Sequence, residues 1–251
     1  YIPEREFDGK AFYAAMRAGS EVKTSMVNAG TFIERFKAAL DAGKDILCIC
    51  FSGALSTTYQ SACIAAEDLR EKYPEAKILV IDSLSASRGQ GMLLYRAVRE
   101  RREKNLTIDE LDAYVRSIIQ SQCHWFIVDD LNHLKRGGRV DAATAIVGTV
   151  LQIKPVMHTD DAGTLKNVTK ARGRKAALKA LAQKLADTAI NPAEQTVFIC
   201  HGDCIEDAEY TAEQIRALTP VKDIIINYVG PVIGAHTGPG VISVFFVGTH
   251  R

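Results

Sequence analysis

The chain has 251 residues, 47% hydrophobic and 24% charged, with 31 Lys and Arg against 30 Asp and Glu. That is a folded protein with room for one large or two modest domains. The net charge of +1 argues against a nucleic-acid binder with a broad basic face, and no apolar run approaches the roughly 18 residues of a membrane span, so no stable membrane insertion is expected. The six cysteines (Cys48, Cys50, Cys63, Cys123, Cys200, Cys204) form no Cys-x-x-Cys pair and lack zinc-finger spacing to histidine. They read as reduced core thiols of a cytoplasmic protein, with no metal site and no cofactor.

The opening Tyr1-Ile-Pro-Glu-Arg-Glu-Phe7 carries no strand before its first helix, where an α/β domain usually begins with one. A preceding native strand is therefore expected. Residues 8–18 read as a short helix stopped by Gly19-Ser20. Thr31 with Glu34 reads as a capping box for a helix over 32–42, which leaves Thr24 and Ser25 in a loop. The apolar run 45–51 predicts a buried parallel strand. It leads into Phe51-Ser-Gly-Ala-Leu-Ser-Thr-Thr-Tyr-Gln-Ser-Ala62 and a helix over 59–73. A strand, a Ser/Gly/Thr turn and a helix N-terminus supply free N–H groups and hydroxyls, which suit a phosphate or a carboxylate. An ordinary turn with Ser56 or Thr57 as N-cap accounts for the same stretch, and both readings stand at this point. A second strand over 77–82 leads to the small-residue loop 83–91 and a helix over 92–102. Thr107 caps a helix over 108–121, and 125–129 reads as a further strand. This alternation is that of a parallel sheet with crossover helices.

After Asp129 the pattern changes. Arg136 and Arg139 flank Gly137-Gly138, and 142–151 reads as a small-residue helix. Strands follow at 153–158, 164–168, 196–200, 223–228 and 241–247, with helices over 172–188 and 205–218. The expected fold is α/β: a parallel-sheet domain over 1–140, then an α+β domain over 141–251. Lys170, Arg172, Arg174 and Lys175 sit where a helix begins, and cations there oppose its dipole. They are either a docking surface for an acidic partner or a solvated charge run. Pro231-Val-Ile-Gly-Ala-His-Thr-Gly-Pro-Gly240 reads as a glycine-dense loop that brings backbone, and His236, close to a ligand.

No Gly-x-Ser-x-Gly elbow, Walker loop or paired acids appear, so no catalytic residue is expected and binding is favoured over turnover. A Ser56–His236 hydrolase acting on an acyl ester or acyl phosphate is the alternative.

Six blocks in this order resemble the DegV family of bacterial fatty-acid-binding proteins. They are Lys23-Thr-Ser-Met26, residues 52–62, Ile81-Asp-Ser-Leu-Ser-Ala-Ser-Arg-Gly-Gln-Gly91, Leu134-Lys-Arg-Gly-Gly-Arg139, Ala171-Arg-Gly-Arg-Lys175 and Gly230-Pro-Val-Ile-Gly-Ala-His-Thr-Gly-Pro-Gly240. The resemblance implies a long-chain fatty acid in an apolar ligand tunnel between or beside the two domains. Its carboxylate would be held by Thr24, Ser56 and His236, with Arg139 in support and Ser25, Ser52 and Thr237 in the same binding loops. It also implies a partner, a fatty acid kinase that phosphorylates that carboxylate, docking on Arg172 and Arg174. The chain departs from the family's usual Ser-Ser-Gly at Ser52-Gly53-Ala54 and from Thr-Ser-Gln at Thr24-Ser25-Met26. Both departures bear on the hydrogen-bond network around the head group.

Overall fold

The computed structural model describes residues 6–140 and 153–251. Contacts divide the chain into two units: residues 25–120 with 161–164, and residues 1–24, 121–160 and 165–251. The helix expected over 142–151 and the first five residues lie outside the described residues.

The first of these units is layered. Strands β1 (Ile46–Cys50) and β2 (Ile78–Asp82) pair in parallel, in register from Ile46 with Ile78 to Cys50 with Asp82. Alternation along β1 sends Ile46, Cys48 and Cys50 toward α2 (Ala29–Leu40) and α3 (Thr58–Lys72), where Phe36, Leu40, Ala62, Ala65 and Leu69 pack. Leu47 and Ile49 point the other way. They meet Leu93, Ala97, Leu111 and Val115 of α4 (Arg88–Lys104) and α5 (Ile108–Ile118). Thr107 caps α5 as expected, and the structure adds a capping box with Glu110. The N-cap of α2 differs from expectation: it is Asn28, whose Oδ1 accepts from Thr31 N at 3.0 Å. Asn28 is in extended backbone and Thr31 is already helical, so only Asn28 can present its oxygen to the first turn. The helix α4 begins at Arg88 rather than 92, which takes Gly89 and Gly91 out of the loop.

The second unit is built on a six-stranded sheet. Its strands are β3 (Gln122–Ile127), β4 (Ile153–Thr159), β5 (Leu165–Arg172), β6 (Thr196–His201), β7 (Asp223–Tyr228) and β8 (Ile242–Val247). They lie in the order β5-β4-β3-β8-β6-β7, and only β6 and β7 run parallel. This corrects two expectations. The strand near 125 is not the third strand of a parallel sheet; it is central to this sheet and antiparallel to both neighbours. The contacts accordingly do not divide at 140, because β3 brings 121–140 into the unit of the later strands. One face of the sheet carries Cys123, Trp125, Ile127, Val197, Ile199, Val244 and Phe246. It is covered by α7 (Arg174–Thr188) and α8 (Ile205–Leu218), through Ala177, Leu178, Leu181, Ala182 and Leu185 at helical spacing and Ala208, Ala212 and Ile215. Each fully buried Leu or Phe there contributes roughly 1.5–3 kcal/mol. Among the described residues the unit also has the short helices α1 (Gly9–Arg17), α6 (Asn132–Arg136) and α9 (Pro231–Thr237).

Candidate functional site

The serine turn in the layered unit is held by bonds within the turn and to neighbouring loops of the same unit. Ser52 is fully buried; its N–H donates to Ser85 O at 2.9 Å and its hydroxyl to Gly163 O at 2.8 Å. The Ser52 carbonyl accepts from Leu55 N and Ser56 N, which curls the chain back before α3. Gly53 N donates to both carboxylate oxygens of Asp82 at 3.1 Å, and Asp82 Oδ1 also accepts from Leu84 N at 2.9 Å. Asp82 thus ties the turn after β1 to the loop after β2. It lies inside the block 81–91 quoted above, which gave it no role of its own. The signal available was its position, as the last strand residue before a loop of small residues. Ser83 and Ser85 are buried, and the Ser83 hydroxyl donates to Ser85 O and accepts from Ser85 N, both at 3.2 Å.

Ser56 is different, because it stays half exposed. Its Oγ lies 2.9 Å from Thr58 Oγ1 and accepts from Thr58 N at 3.3 Å, while Thr58 Oγ1 accepts from Val27 N. Thr57, at the N-cap of α3, makes no side-chain capping bond. Ser56 therefore offers a hydroxyl whose orientation is set by its neighbours. Ser25, in the same unit, is exposed.

The sheet unit gathers Thr24, Arg139 and His236. The segment expected to be a glycine loop is instead the helix α9, started by Pro231 at its first turn and stopped at Gly238, where φ is 75°. Pro231 has the φ a first helical turn needs, and Gly234 lets the Tyr13 hydroxyl of α1 come close. His236 lies in the last turn of α9, half buried. Its Nε2 is 2.7 Å from Thr24 Oγ1. Burial, and secondarily the Arg139 guanidinium, hold its pKa below the usual histidine range. At neutral pH it is a neutral imidazole that shares one proton position with Thr24. Arg139 is half buried and donates through Nη1 to Gly137 O. Thr237 is buried, and its hydroxyl returns to Ile233 O at 3.1 Å.

The two arginines expected at a docking surface part company. Arg172 ends β5, exposed. Arg174 opens α7 and folds inward. Its Nε donates to Asp207 and its Nη1 to Asp129, both at 2.7 Å, while Nη2 donates to Gly240 O at 2.7 Å and approaches Cys204 Sγ. The cation that opposes the helix dipole is thus offset by two carboxylates from other elements. Among the described residues no group of three or more His, Cys, Asp or Glu is placed to hold a metal, and no helix is long and apolar enough to cross a membrane.

The family described as uncharacterised protein, DegV family, matches residues 1–249 of the chain. A DegV domain-containing protein of Clostridium perfringens is 48% identical over 245 residues, covering 98% of this chain and 84% of the relative. Among solved structures, a fatty-acid-binding DegV family protein of Streptococcus agalactiae aligns with TM-score 0.86 at 26% identity, over 100% of this chain and 87% of the other. A DegV lipid-binding protein of Thermotoga maritima aligns with TM-score 0.82 at 29% identity, over 96% and 83%.

Proposed function

Because this chain belongs to the DegV family, we propose that it binds one long-chain fatty acid and presents the carboxylate to a kinase that phosphorylates it. The observation that carries the reading is the Thr24–His236 pair: a hydroxyl oriented by an imidazole that burial keeps neutral, with Arg139 one peptide away. A carboxylate leaving water needs hydrogen-bond donors, since an unpaired buried charge is prohibitively costly. Thr24, Ser56, His236 and Arg139 supply them. The acyl chain adds about 0.8 kcal/mol for each buried methylene. Ser25, exposed, is kept as a contact at the rim of the head group. Ser52 and Thr237 act indirectly, since their hydroxyls are bonded to Gly163 O and Ile233 O and shape the turn that carries Ser56 and the helix end that carries His236.

The solved relatives from Streptococcus agalactiae and Thermotoga maritima, described as fatty-acid-binding and lipid-binding, support the ligand class. The kinase step rests on the family resemblance, and in this reading Arg172 is the docking cation while Arg174 supports the fold beneath it. The protein acts in the cytoplasm, where none of its six cysteines needs a disulfide. The rival hydrolase needs an imidazole to activate Ser56, yet the bonds of Ser56 run to Thr58 and that of His236 to Thr24.

The test is to denature the purified protein, extract it with organic solvent and weigh the extract by mass spectrometry. A stoichiometric long-chain fatty acid is expected, and Ser56→Ala is expected to weaken fatty-acid binding roughly tenfold by leaving a carboxylate oxygen short of a donor. An empty extract together with unchanged affinity in Ser56→Ala overturns the assignment. Labelling of Ser56 by a fluorophosphonate favours the hydrolase.

A further inference from the structure

We propose that Gly137 is a positioning residue of the head-group site: because it lacks a side chain, the His236 ring can lie against the end of α6 with its Nε2 turned to Thr24. The inference rests on the fatty-acid reading and adds a residue to it.

The reason for glycine at 137 is space, and backbone conformation plays no part. Gly137 has φ −73° and ψ −10°, the right-handed helical region open to every residue. The next residue, Gly138, has φ +70°, where a side chain is strained. A Cβ built on Gly138 meets nothing within 4 Å. One built on Gly137 falls 2.1 Å from His236 Nδ1, 3.0 Å from Cε1 and 3.3 Å from Cγ. What it strikes is a rigid ring near its root, and the ring cannot yield by swinging a flexible tip.

The ring is held on its other edge by the 2.7 Å bond from Nε2 to Thr24. Any rotation that relieves a clash at Nδ1 carries Nε2 off the threonine. The same Gly137 peptide also receives Arg139 Nη1 at its carbonyl, and its N–H donates to His133 O at 3.1 Å. One short peptide therefore sets the ring position of His236 and anchors Arg139. On the other side of the contact, Gly238 closes α9 against His133, where a Cβ would lie 2.4 Å from the ring. The α6–α9 seam is thus packed glycine against histidine in both directions.

Alanine at 137 costs nothing in backbone terms and is the better helix former, so its effect falls on the histidine. Oleate titrated into delipidated wild type, Gly137→Ala, Gly138→Ala, His236→Ala and the Gly137→Ala/His236→Ala double variant tests this. Loss of the head-group donor is expected to weaken binding roughly tenfold in Gly137→Ala, about as much as in His236→Ala. The double variant should bind no more weakly than His236→Ala alone, since an alanine at 236 leaves the space free. Gly138→Ala should melt earlier while keeping its affinity. NMR titration of the His236 imidazole should show its midpoint rising in Gly137→Ala, as the ring leaves its buried seat.

Wild-type affinity with an unmoved His236 titration in Gly137→Ala overturns the proposal, and so do losses that add in the double variant. If the wild type binds no oleate, the carrier reading fails separately, and the His236 titration still decides the role of Gly137. If Gly137→Ala does not fold, the double variant should, and its failure too would overturn the proposal.

Discussion

Replacing Arg174 by alanine distinguishes a fold-supporting cation from a docking one. Its side chain is 22% exposed and bonds Asp129, Asp207 and the Gly240 carbonyl, joining the start of α7 to the loop after β3, to α8 and to the segment before β8. Removing one partner of a fully buried pair costs about 3–5 kcal/mol. Asp129 and Asp207 are 44% and 32% exposed, so water recovers part of that, and about 2 kcal/mol remains. For a chain of this size that is a fall in melting temperature of roughly 4–8 °C. Thermal unfolding followed by circular dichroism checks it, with the exposed Arg172→Ala as control, expected within about 0.5 kcal/mol of wild type. Arg172→Glu should instead lower kinase-dependent acyl-phosphate formation without moving the melting curve. An Arg174→Ala protein that melts with the wild type would refute the assignment.

His124 predicts an acid dependence. It is buried beside Phe245 and Phe126 with Nδ1 2.9 Å from Thr159 Oγ1, and burial, with Arg251 and His158, pushes its pKa down to about 3. The unfolded chain takes up this proton near the ordinary value of about 6.5. The contribution is therefore intact above that pH and is lost as pH falls from there toward about 3, at up to about 1.4 kcal/mol per pH unit. Urea midpoints measured across this range should fall less steeply in His124→Gln, by about one proton; an unchanged slope refutes the effect. Gly53→Ala should destabilise by about 1–3 kcal/mol, because its Cβ would fall 2.7 Å from Asp82 Oδ2 and 3.1 Å from the Tyr59 ring. Gly91→Ala, inside α4 with nothing nearer than 3.8 Å, should be neutral or stabilising. Equal urea midpoints for these two variants would contradict the Asp82 clamp.

Elements whose instructions are local were legible in the chain. The helix α8 and the strand β7 begin and end where periodicity places them, and Thr107 announces α5. The loops after β1 and β2 could be read as sites because glycine and serine cluster where an apolar run stops. The helix α9 could not, since Gly234 and the Thr-Gly-Pro-Gly stretch look like a loop unless packing against Tyr13 and His133 is known. Thr31 with Glu34 makes a plausible cap on paper, and only the backbone geometry gives that place to Asn28.

The sequence by itself determined the strand and helix periods, the family, and the identity of Thr24, Ser56, Arg139 and His236 as head-group candidates. Only the tertiary structure decided that β3 joins the antiparallel sheet, because its partners, Val156–His158 and Ile242–Val247, lie about 30 to over 100 residues away. It alone turned Arg174 inward to Asp129 and Asp207, and set His236 against Gly137 and Thr24. Short-range patterns encode hydrogen-bond period and apolar face. Which charges pair, and which glycine must yield space, depends on neighbours that meet only when the chain has folded.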